Sequence, residues 1–254
     1  MLLATQNLTK NFGGLTAVSN LDFTAKRGEI MAIIGPNGAG KTTFFNLLSG
    51  VYRPSAGKVY FNGEDITGLP PHRRAQKGIA RTFQTTTLFT EATVFDNVLI
   101  GHRVRTTAGL WDALSRNPRY RRDEKACWDK AWEVLEFTGL TELAKKPVAS
   151  ISQEAKKRAA IALALATDPQ LILLDEPAAG INFDETEGIA NLIKKMQQKG
   201  LTICLIEHKM RMVLDVADRI SVLNYGTKIA EGPPEEIVTN PAVIEAYLGG
   251  ANLA

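Results

Sequence analysis

The 254-residue sequence is 44% hydrophobic with a net charge of +3, which suits one large α/β domain, or a domain with one sizeable insertion, and supplies ample core. So small a charge excludes nucleic-acid binding as the chain's main business, and its basic residues read as a mixed solvated surface. Two cysteines, Cys127 and Cys204, both in apolar stretches, exclude a disulfide framework and predict buried thiols in a reducing compartment. No apolar run approaches the ~18 residues of a membrane span, and polar Thr5-Gln6-Asn7 follows Met1-Leu2-Leu3 too soon for a signal peptide.

Leu2 to Leu8 and Leu15 to Thr24 have strand character, with a turn expected at Phe12-Gly13-Gly14. An apolar run from Glu29 to Ile34 then meets Gly35-Pro36-Asn37-Gly38-Ala39-Gly40-Lys41-Thr42, followed by Thr43 and a helical spacing of Phe44, Phe45, Leu47 and Leu48. This is a full G-x-x-x-x-G-K-[ST] phosphate loop in its strand-loop-helix context. Its glycines let backbone N–H groups wrap an anion while the following helix aims its positive end at the same point. Lys41 is expected to reach the terminal phosphates and Thr42 to place its hydroxyl on Mg²⁺. Such a loop arises by chance on the order of once in a hundred chains of this length, before its flanks are counted.

Gly57 to Ile66 reads as a further strand turned at Asn62-Gly63, which predicts a small antiparallel β layer beside the loop. Pro70-Pro71 opens a basic helical piece that stops at Gly78, and Gly78 to Gln84 reads as a short strand running into Thr85-Thr86-Thr87. From Val94 to Thr167 the pattern is helical. It is clearest over Asp123 to Phe137, where Cys127, Ala131, Val134 and Trp128, Trp132, Leu135 recur at helical spacing, so both tryptophans are expected in the core. Arg116, Arg119, Arg121 and Arg122 precede that helix without interleaved aromatics and read as a solvated face.

Leu171 to Leu174, Leu201 to Ile206 and Arg219 to Leu223 are buried-strand runs, the first two separated by a helical stretch from Glu185 to Lys199. The first ends in Asp175-Glu176-Pro177, two adjacent carboxylates that a fully apolar strand tolerates only where its tip needs them. Beside a phosphate loop, Asp175 is expected to hold the shell of Mg²⁺ and Glu176 to polarise the attacking water. The second run ends in Glu207-His208. A strand parallel to that of Asp175 would bring His208 to the same edge, where its imidazole can donate to the transferring group or the water. Gln84, also at a strand end, can sense Mg²⁺ or water through its amide. Asn224-Tyr225-Gly226 turns into a last short strand, and Pro233-Pro234 opens the final helical segments.

The phosphate loop, Gln84, the Asp175-Glu176 strand and His208 stand in the order and spacing of the ATP-binding-cassette (ABC) family, which the chain resembles over essentially its whole length. The resemblance implies an α/β fold: a P-loop NTPase core with a mainly parallel sheet, an antiparallel β layer and an inserted helical subdomain. It divides the chain into a nucleotide-binding core at 1–84 and 168–254 and a helical signature subdomain at 85–167. It also implies that Phe12 stacks on adenine. Within the family the likeness is to ATPase subunits that power importers of branched-chain and related hydrophobic amino acids, through Phe12-Gly13-Gly14, Arg81 to Gln84, Gly109 to Arg122, Glu176 to Gly180 and the ending Asn240-Pro241-Ala242-Val243-Ile244-Glu245-Ala246-Tyr247-Leu248-Gly249. Importers of amides or urea are similar enough to leave the solute open. A soluble ABC protein of repair or translation would need a coiled-coil insertion or a second cassette, and a GTP switch an Asn-Lys-x-Asp reader; the sequence has none of these. The resemblance thus implies ATP and Mg²⁺ as cofactors, and as partners a second ATPase subunit, integral permease subunits and, indirectly, a solute-binding protein, at the cytoplasmic face of the membrane as a peripheral subunit. The permease is expected to dock around Gln84 and the segment from Thr85 to Val98.

The chain departs from the family where a Leu-Ser-Gly-Gly-Gln signature is expected. Ile151-Ser152-Gln153-Glu154-Ala155 keeps the serine and loses both glycines and the glutamine. In the family this segment closes over the opposing cassette's nucleotide, so Ser152, Gln153 and Glu154 are the residues this chain would offer there. Glu154 has two readings. Its carboxylate faces phosphate, repelling each unit charge by roughly 3 kcal/mol at ~5 Å and an effective dielectric near 20, or it turns aside and serves the helix start. The first reading predicts a heterodimer with unequal sites, the second an active homodimer. Asn182 also stands where many cassettes have aspartate.

Overall fold

The computed structural model describes residues 1–82 and 88–248. The chain opens with β1 (Leu3–Phe12) and β2 (Leu15–Ala25), a hairpin turned at Gly13-Gly14 as expected, with both strands longer than the sequence reading. Next come β3 (Ile30–Ile34), the phosphate loop and α1 (Lys41–Leu48), then the hairpin of β4 (Ala56–Phe61) and β5 (Glu64–Asp65). Its turn residues Asn62 and Gly63 have φ of 52° and 78°, the left-handed pair that a tight hairpin requires. After α2 (Pro71–Lys77) and β6 (Ile79–Arg81) follow α3 (Val94–His102), α4 (Leu110–Ser115), α5 (Pro118–Thr138) and α6 (Gln153–Leu165). The chain ends with β7 (Leu171–Asp175), α7 (Phe183–Gln198), β8 (Thr202–Ile206), α8 (Met210–Val216), β9 (Arg219–Asn224), β10 (Thr227–Gly232), α9 (Pro234–Thr239) and α10 (Pro241–Leu248).

Two sheets result. A four-stranded antiparallel sheet runs β2-β1-β4-β5, and a six-stranded sheet runs β10-β9-β3-β8-β7-β6, parallel throughout except for β10 against β9. Strands β3, β7 and β8 are buried at every position because both faces are covered. Period-two alternation divides their side chains. Met31, Ile33, Leu171 and Leu173 join the antiparallel layer and Phe44, Phe45, Leu47 and Leu48 of α1 in one core cluster. Ile30, Ile172 and Leu174 pack on the other face against Ile189, Ile193 and Met196 of α7. Helices α3, α5 and α6 gather a separate cluster around Val94, Val98, Ala131, Leu135 and Ala159.

Helix α5 corrects the reading of the tryptophans. Cys127, Ala131, Val134 and Leu135 are buried, whereas Trp128 and Trp132 are exposed to 50% and 38% and tilt against Phe95 with ring centroids 4.7 and 5.1 Å away. The buried stripe is narrow enough that small residues fill it, which leaves the indoles at its rim.

Candidate phosphate and hydrolysis site

The phosphate loop is wedged between layers distant in sequence. Gly35, with φ of 148°, lies so near β9 that a Cβ would stand 2.0 Å from the carbonyl oxygen of Leu223; at Gly40, with φ of 95°, a Cβ would stand 2.3 Å from that of Ala17 on β2. Only glycine fits either position, by conformation and by space. Gly226 of the β9–β10 turn donates to Ala39 O at 3.1 Å, which closes the wedge. Helix α1 starts at Gly40 with no side-chain cap and no acid in its first turn, so its positive end is open to an anion. Lys41 is 6% exposed, and its ammonium donates to Gly35 O at 2.7 Å and Pro36 O at 2.9 Å. Burial lowers its pKa, with Glu176 and Asp175 pulling the other way.

The far end of α1 is held by a residue the sequence reading passed over. Arg74 is 1% exposed and donates to Leu47 O, Leu48 O, Thr67 O and Leu69 O at 2.7–3.0 Å, answering carbonyls of the helix's last turn; burial pulls its pKa down to about 10. A basic helical piece was legible in the sequence, but which of its arginines turns inward was not.

The carboxylates stand where the strand pairing predicts. β7 and β8 are parallel neighbours with Asp175 level with Ile206, and Glu176 N donates to Ile206 O at 2.9 Å, which brings His208 beside Glu176. With its proton on Nε2, the imidazole donates to Glu176 Oε1 at 3.0 Å. Glu176 has φ of 50°, a left-handed backbone that lifts its carboxylate from the strand end. Asp175 is 3% exposed, and Arg81 Nη2 contacts its Oδ2 at 2.9 Å; Oδ1 is buried without a hydrogen-bond partner among the described residues. Burial raises the Asp175 pKa against the pull of Arg81. Arg81 Nη1 also donates to Asn46 Oδ1 at 2.7 Å and Ser49 Oγ at 2.9 Å, tying β7 to α1. An unanswered, buried, anionic oxygen beside a phosphate loop is the donor chemistry that a hard divalent cation takes, so the site fits Mg²⁺. Glu207, next in chain to His208, is 3% exposed; burial, then the charge of Glu176, push its carboxyl up to about 7.

Phe12 lies at the end of β1, 43% exposed, edge-on to Tyr52 at 5.4 Å, with Lys10 Nζ 5.0 Å from its ring. The ring is thus partly exposed, with Tyr52 at its edge and the Lys10 ammonium over it. Gln84 lies outside the described residues, as do the other residues of 83–87.

At the start of α6, Ser152 is the N-cap and its Oγ accepts from Ala155 N at 3.1 Å, while Gln153 is exposed. Glu154 is ion-paired to Arg158 one turn on, and a Cβ at Gly188 of α7 would stand 3.6 Å from its Oε1. The carboxylate thus turns back along its own helix towards α7 and is neutralised there. This geometry favours the second reading of Glu154, in which its charge does not face phosphate. What the segment still lacks is the glycines and the glutamine. Asn182 accepts from Glu185 N at 2.9 Å as the N-cap of α7, a role asparagine and aspartate fill equally well.

The family described as ABC transporter matches residues 18–179, and that described as branched-chain amino acid ATP-binding cassette transporter matches residues 227–251. Over 251 residues the chain is 41% identical to BraF, a high-affinity branched-chain amino acid transport ATP-binding protein of Pseudomonas aeruginosa, and the pairing covers 98% of both chains. It is 42% identical to the protein of the same description, LivG, of Escherichia coli, again with 98% of both covered. Among solved structures, an ATP-binding cassette of an ABC transporter in its ADP conformation superposes with a TM-score of 0.86 at 34% identity, covering 98% of both chains.

Proposed function

The chain belongs to the ABC transporter family, and from that premise we propose that it is the ATP-hydrolysing subunit of an importer for branched-chain amino acids. The observation that carries the catalytic part is the placement of Glu176 beside His208 at 3.0 Å on the strand edge that holds Asp175. In this reading Gly35 to Thr43 hold the phosphates through backbone amides and the Lys41 ammonium, and adenine stacks on Phe12. Asp175 Oδ1, Thr42 Oγ1 and Gln84 would hold Mg²⁺, which supplies charge neutralisation on the phosphates. Glu176 orients and polarises the attacking water, and His208 keeps the Glu176 carboxylate in place and offers a proton donor to the phosphoryl oxygens.

Glu176→Gln tests this assignment. The amide fills the same space but does not accept a proton, so ATP stays bound while hydrolysis falls by at least ~100-fold. Turnover at the wild-type rate in the assembled transporter would move the role to another residue.

The reading extends to assembly. No helix among the described residues is long and apolar enough to cross a membrane, so the transport path belongs to permease subunits, with this chain peripheral on their cytoplasmic side and a solute-binding protein supplying cargo. Docking is assigned to the segment from Gln84 to Val98, at the junction of the core (1–84 and 168–254) with the helical subdomain (85–167). The partner cassette is assigned a complete signature, because Gln153, Glu154 and Ala155 offer neither the glycine amides nor the glutamine. With Glu154 paired to Arg158 the charge ground for unequal sites falls away and an active homodimer becomes the rival outcome, so the proposal of a heterodimer rests on the missing glycines and glutamine alone. ATPase rates of this subunit alone, with its partner, and with the partner's phosphate-loop lysine replaced decide the matter. Fast turnover by this subunit alone, or collapse when only the partner's loop is disabled, would defeat it.

A further inference from the structure

The stretch from α4 to the start of α5 has no part in the chemistry above, and its side chains are sorted by type. The acids around it are turned inward to hold backbone and a cap. Asp112 Oδ2 accepts from Gly109 N at 2.8 Å and its Oδ1 from Asn117 Nδ2 at 2.6 Å, while Asp123 Oδ2 accepts from Thr107 N at 2.7 Å and Ala108 N at 2.8 Å. These bonds tie α4 to the start of α5, where Asn117 caps the helix by accepting from Tyr120 N at 3.0 Å. What the tip turns outward is apolar and cationic. Trp111 and Leu114, three positions apart on α4 and so neighbours on one face, are 80% and 68% exposed, and Arg116, Arg119, Arg121 and Arg122 are exposed after them. The sequence reading of a solvated arginine face left out these two apolar side chains.

Four arginines against Asp112 give residues 110–122 a net charge of +3, which is that of the whole chain, so the remainder is balanced. Among the described residues Arg119 has one acid near it, Asp112 at 4.0 Å, and Arg116, Arg121 and Arg122 form no ion pair. Arg121 Nε donates instead to the Arg116 carbonyl at 3.1 Å, which holds its guanidinium against the turn into α5. Arg119, Arg121 and Arg122 also stand at the amino-terminal end of α5, whose first turn has no acid. The helix dipole disfavours cations there, so folding alone would place carboxylates at these positions.

We propose that the tip formed by α4 and the start of α5 rests on the anionic lipid headgroups of the membrane that the chain serves. The indole and the leucine enter the boundary between headgroups and acyl chains, and the guanidiniums meet lipid phosphates. A protein pocket demands a fixed shape of its guest. A fluid headgroup layer accepts a protruding indole accompanied by cations, and protrusion and unpaired charge are what this tip offers. Such a contact gives a peripheral subunit a second hold beside its permease, and two weak holds on one body act together. The inference takes the membrane from the importer reading and the contact from the tip's own side chains.

The test floats the full chain with vesicles of phosphatidylcholine alone or in equal mixture with phosphatidylglycerol. Binding to the mixed vesicles is expected to be at least ~tenfold tighter, and to weaken as salt is raised. Replacing Arg116, Arg121 and Arg122 together by glutamine should cost ~tenfold or more, and Trp111→Ser about threefold to tenfold, with the affinity for an ATP analogue unchanged in both. In a chain carrying Trp128→Phe and Trp132→Phe, Trp111 is the tryptophan that remains; its emission should shift to the blue with mixed vesicles and be quenched by brominated acyl chains. Equal affinity for the two vesicle types, wild-type affinity in the triple variant, or Trp111 emission that ignores the vesicles overturns the proposal. So does a triple variant that loses its permease subunits in detergent while keeping its affinity for vesicles, which would give the patch to a protein partner. The importer reading fails separately: a chain that binds mixed vesicles through Trp111 yet never copurifies with permease subunits would lose that reading and keep this contact.

Discussion

Two helix starts in this chain, those of α1 and α6, are aimed at phosphate by the family pattern, and they are built in opposite ways. Helix α1 begins on a left-handed glycine with no side-chain cap and no acid in its first turn. Helix α6 begins on Ser152, whose own hydroxyl takes an amide of the first turn, and carries Glu154, whose charge is answered by Arg158. An open helix start presents N–H groups and a positive end to a ligand; one that the chain has capped has already used part of both. The contrast teaches that sequence motifs at such sites are best read by what they leave unsatisfied. On the proposed reading helix α1 serves phosphate by what it omits, whereas the start of α6 is capped by Ser152 and its acid is paired.

The sharpest way to break the comparison is Lys41→Ala, which removes the buried ammonium at the open start. Nucleotide affinity is expected to fall by more than ~100-fold, as for loss of a buried charge-assisted contact; retained micromolar binding in a titration would end the argument for α1. Next in size is Arg158→Met, which leaves Glu154 unpaired beside α7. Turnover at the site that α6 serves should drop about tenfold, with part of the loss recovered at high salt as the freed charge is screened; salt-independent kinetics would show that Arg158 has no such duty. Smaller is the effect of Glu154→Gly, at most about threefold faster at that site, because the charge it removes is already neutralised. A much larger gain in single-turnover assays would restore charge repulsion as the cause.

A change of a different kind, in stability rather than turnover, concerns the sheet edge, where Glu207 follows β8. Its folded-state pKa of about 7 lies above the ordinary 4.5 of the unfolded chain, so the native state holds the proton more tightly. The stability from this group is full below pH 4.5, is lost as pH rises through 7 and is flat above, a loss on the order of 3 kcal/mol. Glu207→Gln should remove that slope and raise Tm by several degrees at pH 8 but not at pH 4. Parallel pH–Tm curves for the two proteins would assign the buried charge elsewhere.

Much of this architecture is local and could be read from the sequence. Apolar runs marked β3, β7, β8 and β9, Gly78 stopped α2 where expected, and the parallel pairing that joins His208 to Glu176 followed from two similar strands ending in acids. What escaped depends on long-range placement. Arg81 reaches Asp175 across 94 positions, and nothing near either residue announces the pair. Arg74 turns inward because carbonyls of α1 await it, and Val243 seats α10 against β3 and β9; both depend on elements that meet only in the fold. The tryptophans of α5 were misplaced because helical spacing identifies a face without fixing how wide its buried stripe is. Glu154 was left with two readings because spacing alone does not tell which way a first-turn acid turns.

The wedge around the phosphate loop also governs when the loop can exist during synthesis. Its glycine-rich sequence is finished by residue 42, but the surfaces that hold it include Leu223 and Gly226, which leave the ribosome nearly a whole chain length later. Contacts of such sequence separation form late, after the entropy of closing a long loop has been overcome. A nascent chain carrying the complete motif is therefore expected to have no nucleotide site until β9 has paired with β3, a timing that keeps unfinished subunits from occupying ATP. Nucleotide-analogue capture by stalled chains ending before Arg219 would show the loop closing earlier; capture that begins only once residue 226 has cleared the exit tunnel would make ATP binding a report that the sheet is complete.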